Sequence, residues 1–140
     1  MFVVLDTNHY NELANGSTAG RKAQHRIEEH HADVFISIIS VQESVQGWLA
    51  LINRKAPGRE QMHAYARFQR CIETLSKLPI LSFDEDAARI FGNLQRQRLR
   101  AGTMDLKIAA ICLAHDALLL TRNLSDFQKV PGLRAENWLD

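Results

Sequence analysis

Four acidic positions carry the chemistry that this sequence could do. Asp6 directly follows the apolar run Phe2-Val3-Val4-Leu5 and leads into Thr7-Asn8. Glu43 closes Ser40-Val41-Gln42-Glu43, just beyond a second apolar run at 34–38. Asp105 opens the apolar segment that follows Gly102-Thr103-Met104. Asp126 comes three residues after Asn123, in Thr121-Arg122-Asn123-Leu124-Ser125-Asp126-Phe127. Each has a plain local explanation. Asp6 or Thr7 can cap a helix, Ser40 with Glu43 matches a capping box, Asp105 complements a helix dipole, and Asp126 fits a polar turn. Together they require a coincidence: four separate units each present an acid or amide to the same side of one sheet. Such carboxylates repel one another and resist ionisation unless a divalent cation neutralises them. A donor set of oxygens alone suits Mg²⁺ or Mn²⁺ rather than zinc. Mg²⁺ held by carboxylates and waters can activate a water for phosphodiester hydrolysis.

The elements that must position these acids are legible from periodicity. Residues 2–5, 34–38, 79–81 and 117–121 are short apolar runs of the kind buried on both faces of a parallel sheet. Helical spacing of apolar residues separates them. Val41, Val45, Trp48, Leu49 and Ile52 mark a helix over 40–53, and Tyr65, Phe68, Ile72 and Leu75 another over 61–78. Asp84-Glu85-Asp86 opens a helix over 84–99. Thr103 suits the N-cap of a helix over 104–115, apolar almost all round and therefore deep in the protein. Asn15-Gly16 ends the first helix, and 53–58, with Pro57-Gly58, reads as an exposed loop. Alternating strands and helices predict an α/β fold, a three-layer α/β/α sandwich around a central, mostly parallel sheet.

Composition narrows the function classes. The chain has 140 residues, which fits one domain over 1–140. A formal net charge of +1 excludes a uniformly basic protein held to nucleic acid by bulk electrostatics, but leaves room for a local basic patch. No apolar stretch is long enough to span a bilayer, and Asp6 interrupts any signal-peptide core, so a cytoplasmic location is expected with no membrane partner. The two cysteines, Cys71 and Cys112, are too few and too far apart for a disulfide framework or a zinc site.

In this order, Leu5-Asp6-Thr7-Asn8, Ile38-Ile39-Ser40-Val41-Gln42-Glu43, Gly102-Thr103-Met104-Asp105-Leu106-Lys107 and Leu120 to Phe127 resemble the PIN domain, specifically the VapC-like ribonuclease toxins of toxin–antitoxin pairs. Val130-Pro131-Gly132-Leu133 and Glu136-Asn137-Trp138 are similar to that family's tail. The resemblance covers essentially the whole chain. It implies the PIN-like sandwich and a Mg²⁺-dependent endoribonuclease, with Mn²⁺ able to substitute. The metal acids would be Asp6, Glu43 and Asp105. Asp126 would complete the catalytic set, because Asn123 stands where many relatives carry a fourth acid. Thr7, Asn8 and Thr121 would orient the acids or bind phosphate, and Asn123 would support the site; Arg122 and Arg100 are expected to support substrate from their positions beside the acids. A metal-activated water would leave 5′-phosphate and 3′-hydroxyl ends. The implied partners are RNA, a cognate antitoxin and a second copy in a homodimer. A catalytically silent, metal- or partner-binding PIN-like module is the alternative, favoured by Asn123 alone. A structure-specific DNA nuclease of the same superfamily ranks below both.

Other features have bland readings. On one continuous helix, Arg89, Arg96 and Arg100 would share a face, as a phosphate-gripping rim or as a solvated surface. Arg54, Lys55 and Arg59 in the exposed loop could extend a basic track towards RNA, but a solvated loop is the favoured reading. His30-His31 ends a surface helix, and His9 sits close enough in sequence to approach the Asp6 site. Trp48, Tyr65 and Phe68 are spaced for core contact or for a groove that takes an antitoxin peptide.

Overall fold

The computed structural model describes residues 1–140. Its centre is a five-stranded, wholly parallel sheet in the order β3-β2-β1-β4-β5. The strands are β1 (Phe2–Leu5), β2 (Asp33–Ser37), β3 (Ile80–Leu81), β4 (Leu118–Leu120) and β5 (Ala135–Glu136). The helices are α1 (Thr7–Asn15), α2 (Thr18–Glu29), α3 (Ile38–Asn53), α4 (Met62–Leu75), α5 (Glu85–Arg96), α6 (Thr103–Ala114) and the single turn α7 (Leu124–Phe127). The chain builds outward on one side of β1 through β2 and β3, then returns to the other side through β4 and β5. The strand order therefore reverses between β1 and β4, and the carboxyl ends of those two strands flank the crevice where α/β sheets bind ligands.

Alternation along β1 and β4 builds a core on each face. Val4 and Leu119 point into one cluster with Ile39, Leu94, Leu106, Ile108 and Ile111, under α5 and α6. Val3, Leu5, Leu118 and Leu120 point into the other, with Tyr10, Ala23, Ile27, Leu75, Trp138 and Leu139. This is the expected three-layer sandwich. Two glycines matter to it. Gly16 ends α1 at φ 64°, a left-handed conformation. Gly20 lets α2 lie against α1, since a Cβ there would sit 2.0 Å from the Glu12 carbonyl oxygen.

Several boundaries differ from expectation for local reasons. α3 begins at Ile38, because the Ser37 hydroxyl caps it by accepting from Ser40 N at 3.1 Å. Ser40 lies inside the helix, so the Ser40–Glu43 capping box does not form. Gly102, not Thr103, occupies the N-cap of α6, and no side chain caps that helix. α4 stops at Leu75 and α5 at Arg96. Arg98 adopts φ 53°, so Arg100 lies beyond the helix and shares no helical face with Arg89 and Arg96. β5 and α7, at two and four residues, are too short to leave a periodic signal.

His9 does not approach the acids. It is fully buried, and its Nε2 accepts a hydrogen bond from Trp138 N at 3.1 Å. Trp138 is itself packed under His30, with ring centroids 5.2 Å apart, and under the Arg26 guanidinium 4.8 Å from its ring. His9 thus fastens the C-terminal segment to α1, which requires the neutral imidazole. Burial, with Arg122 assisting and Asp140 opposing, lowers its pKa from 6.5 to about 4. The unfolded chain takes up the proton first as pH falls, so this stability is full above pH 6.5 and is lost towards pH 4. The total at stake is on the order of 3 kcal/mol. In urea titrations, His9→Gln should flatten the loss of stability between pH 6.5 and 5; an unchanged slope would contradict the neutral, buried assignment.

Candidate functional site

The acidic cleft opens at the strand reversal and has a volume of about 450 Å³. Its seven lining residues are all polar: Asp6, Thr7, Asn8, Glu43, Asp105, Arg122 and Asn123. Three elements deliver its carboxylates. Asp6 is the first residue after β1, Glu43 lies in the second turn of α3, and Asp105 is in the first turn of α6.

Asp6 is held from both sides. Its Oδ1 accepts from Thr7 N at 2.8 Å, so the helix-capping reading of Asp6 is also correct. Its Oδ2 accepts from the Thr121 hydroxyl at 2.9 Å. Thr121 is fully buried, and the same hydroxyl accepts from Asn123 N at 3.0 Å. One side chain after β4 thus fixes both an acid after β1 and the backbone of the following loop. Asp6 N also donates to Leu120 O at 2.9 Å, carrying the β1–β4 ladder up to the cleft.

Glu43 and Asp105 have no such partners, and neither enters an ion pair. Burial raises the Glu43 pKa first, and the charges of Asp6 and Asp105 raise it further. Burial likewise raises Asp105, followed by the charges of Asp6 and Asp126. The acids therefore feel one another across the cleft, and a cation there would relieve the repulsion.

The donor set has the chemistry for a hard cation. Oxygen donors line the cleft, with no histidine and no thiol. Cys112 is buried in the core with its thiol pushed up to about 12, by burial first and by the Asp6 charge second. No three acidic, histidine or cysteine side chains stand close enough together to ligate one ion directly. Mg²⁺ does not demand that, since it keeps several waters and takes one or two carboxylates.

A profile of the PIN domain family matches residues 3–133. The chain belongs to the PIN domain family. Over 95% of its length it is 27% identical to "Ribonuclease VapC1" of Rickettsia felis, covering 93% of that protein. It is 32% identical over 68 residues to the "tRNA(fMet)-specific endonuclease VapC" of Salmonella typhimurium, 46% of this chain and 52% of that one. Its fold matches a chain in the crystal structure of VapBC2 from Rickettsia felis bound to a promoter DNA fragment, with TM-score 0.74, 23% identity and 99% of each chain covered.

The remaining expected residues of this PIN domain fall in different places. Asn123 lines the cleft, but Asp126 does not. Asp126 Oδ2 accepts from Asn123 Nδ2 at 2.7 Å, and its Oδ1 lies 3.7 Å from Lys129 Nζ. Arg122 lines the cleft while its guanidinium is engaged by Asp140, with Nε 3.2 Å from Oδ2, and by Glu12 at 3.6 Å. Arg100 is exposed and outside the cleft, and its carbonyl accepts from Lys129 Nζ at 3.1 Å. The roles of Asp140 and Glu12 left no sequence signal, because they depend on how the C-terminal segment docks. Thr121→Val should destabilise the protein by about 1–3 kcal/mol in urea titrations, since it strands the Asn123 N–H and one Asp6 oxygen. Thr121→Ser should recover most of that; equal losses in the two variants would contradict the hydroxyl's bridging role.

Proposed function

We propose that residues 1–140 form one PIN domain acting as a Mg²⁺-dependent endoribonuclease, the toxin of a toxin–antitoxin pair. The observation that carries this reading is the acidic, wholly polar cleft at the strand reversal, in which Asp6, Glu43 and Asp105 converge from three elements. The similarity to curated VapC ribonucleases supports RNA as the substrate class, and likeness in fold to a chain of a toxin–antitoxin complex from Klebsiella pneumoniae supports a cognate antitoxin as the partner. Homodimerisation and a cytoplasmic location belong to the same reading. No helix is long and apolar enough to cross a membrane.

In this mechanism Asp6 and Asp105 would hold Mg²⁺, with Mn²⁺ able to substitute, and Glu43 would complete the acidic wall. The chemistry that bound Mg²⁺ supplies is activation of a water for in-line attack on phosphorus and offset of charge on the phosphoryl oxygens. Thr121 and Thr7 N keep the Asp6 carboxylate in one orientation. Raised pKa values at Glu43 and Asp105 keep both responsive to a proton or a cation in the cleft. Asn8 and Asn123 offer amide groups to the RNA backbone. Asp126 is a positioning residue that fixes Asn123 rather than a member of the cleft wall. Arg122, shared between Asp140 and Glu12, offsets part of the acidic charge beside the substrate.

Purified protein, freed of any antitoxin, should cut a mixed tRNA and ribosomal RNA pool into discrete fragments with Mg²⁺ or Mn²⁺, and none with EDTA. The new ends should be 5′-phosphate and 3′-hydroxyl. Asp6→Asn should lower the rate by about 100-fold or more. A 2′,3′-cyclic phosphate product, or cleavage surviving both EDTA and Asp6→Asn, would overturn the mechanism. A folded protein that binds Mn²⁺ yet cuts nothing would favour the silent module, the reading to which Asn123 lends weight.

A further inference from the structure

An acidic cleft repels the polyanion it is proposed to cut, so cations near it must hold the flanking phosphates. Arg122 is poorly placed for that, because Asp140 and Glu12 already engage it. The next cleft differs. It has a volume of about 720 Å³, lies between α1, α3 and α4, and shares Thr7 and Glu43 with the acidic cleft. A chain lying in one therefore passes into the other without leaving the surface. Arg54, Arg67 and Arg70 line it, and Glu43 is its only carboxylate. None of the three arginines enters an ion pair, whereas Arg26, Arg89, Arg122 and Arg134 all do. The Arg67 guanidinium lies 4.9 Å over the ring of Trp48, which also lines the cleft. A row of cations without carboxylate partners, beside an aromatic ring, is the combination that tracks a single-stranded backbone and accepts bases by stacking.

We infer that the α1/α3/α4 cleft binds the single-stranded RNA segment flanking the scissile phosphate, with Arg54, Arg67 and Arg70 on backbone phosphates and Trp48 against a base. This rests on RNA being the substrate of the acidic cleft. Three arginines against one carboxylate call for a polyanionic occupant, and continuity with the acidic cleft through Thr7 and Glu43 favours the substrate strand over an acidic peptide. Arg54, for which the sequence favoured a solvated loop over an extended basic track, lines the cleft because it is the C-cap of α3.

The test is binding of a fluorescein-labelled single-stranded RNA dodecanucleotide to the whole protein, by anisotropy across a salt series with EDTA present. Arg67→Gln/Arg70→Gln should flatten the slope of log K against log salt by about 1.4, since each single-strand phosphate contact contributes about 0.7. Arg89→Gln/Arg96→Gln, on the exposed face of α5, should leave it unchanged, and melting curves should show both variants folded. Wild-type hydrolysis of bis-p-nitrophenyl phosphate, a substrate too small to span both clefts, with Mn²⁺ reads the nuclease chemistry separately. An unchanged RNA slope in that variant overturns the inference, all the more if it loses a co-expressed protein partner instead. Absence of any hydrolysis by wild type would count against the nuclease reading alone, because the salt slope is read without catalysis.

Discussion

Mutual repulsion among carboxylates at one edge of a parallel sheet is the constraint on which the rest of this structure depends. Asp6, Glu43 and Asp105 share one polar cleft, and burial together with their mutual charges raises the pKa values of Glu43 and Asp105. Nothing in the fold's own stability calls for that arrangement. It persists because rigid elements on both faces of the sheet hold it. The β1–β4 ladder runs up to Asp6, the buried Thr121 hydroxyl joins Asp6 to the Asn123 backbone, and α6 carries Asp105 on a helix sunk in the core.

The C-terminal segment belongs to the same support. β5 adds a parallel strand beside β4, and the Trp138 N–H bonded to His9 closes the layer over α1. Asp140 then reaches Arg122 at the cleft. The tail thus links the core under α2 to the electrostatics of the site, through one buried histidine and one arginine.

Much of this was legible in the sequence, for physical reasons. Strands β1 and β4 are buried on both faces and β2 is half-buried, so all three read as apolar runs, and the position of Asp6 at the end of the first run is unambiguous. The convergence of Glu43 and Asp105 on Asp6 was legible only from the acids taken together and was reinforced by the family resemblance, since a capping box and a helix dipole explain each acid locally. The capping box failed because Ser37, three residues earlier, caps α3 instead. What stayed hidden was long-range. Whether Asp126 or Asn123 faces the cleft depends on the single turn of α7. The pairing of Arg122 spans 18 residues to Asp140. The cation row of Arg54, Arg67 and Arg70 exists only once α3 and α4 pack together.

The most direct measurement of the central claim is the melting temperature of wild type and Glu43→Gln, each with EDTA and with Mn²⁺. Glu43 has no ion-pair partner and a raised pKa, so the neutral amide should remove repulsion at little cost. The account predicts that Glu43→Gln melts above wild type in EDTA, and that Mn²⁺ raises wild type more than the variant by binding the folded state. A variant that melts below wild type in EDTA, with both indifferent to Mn²⁺, would contradict it.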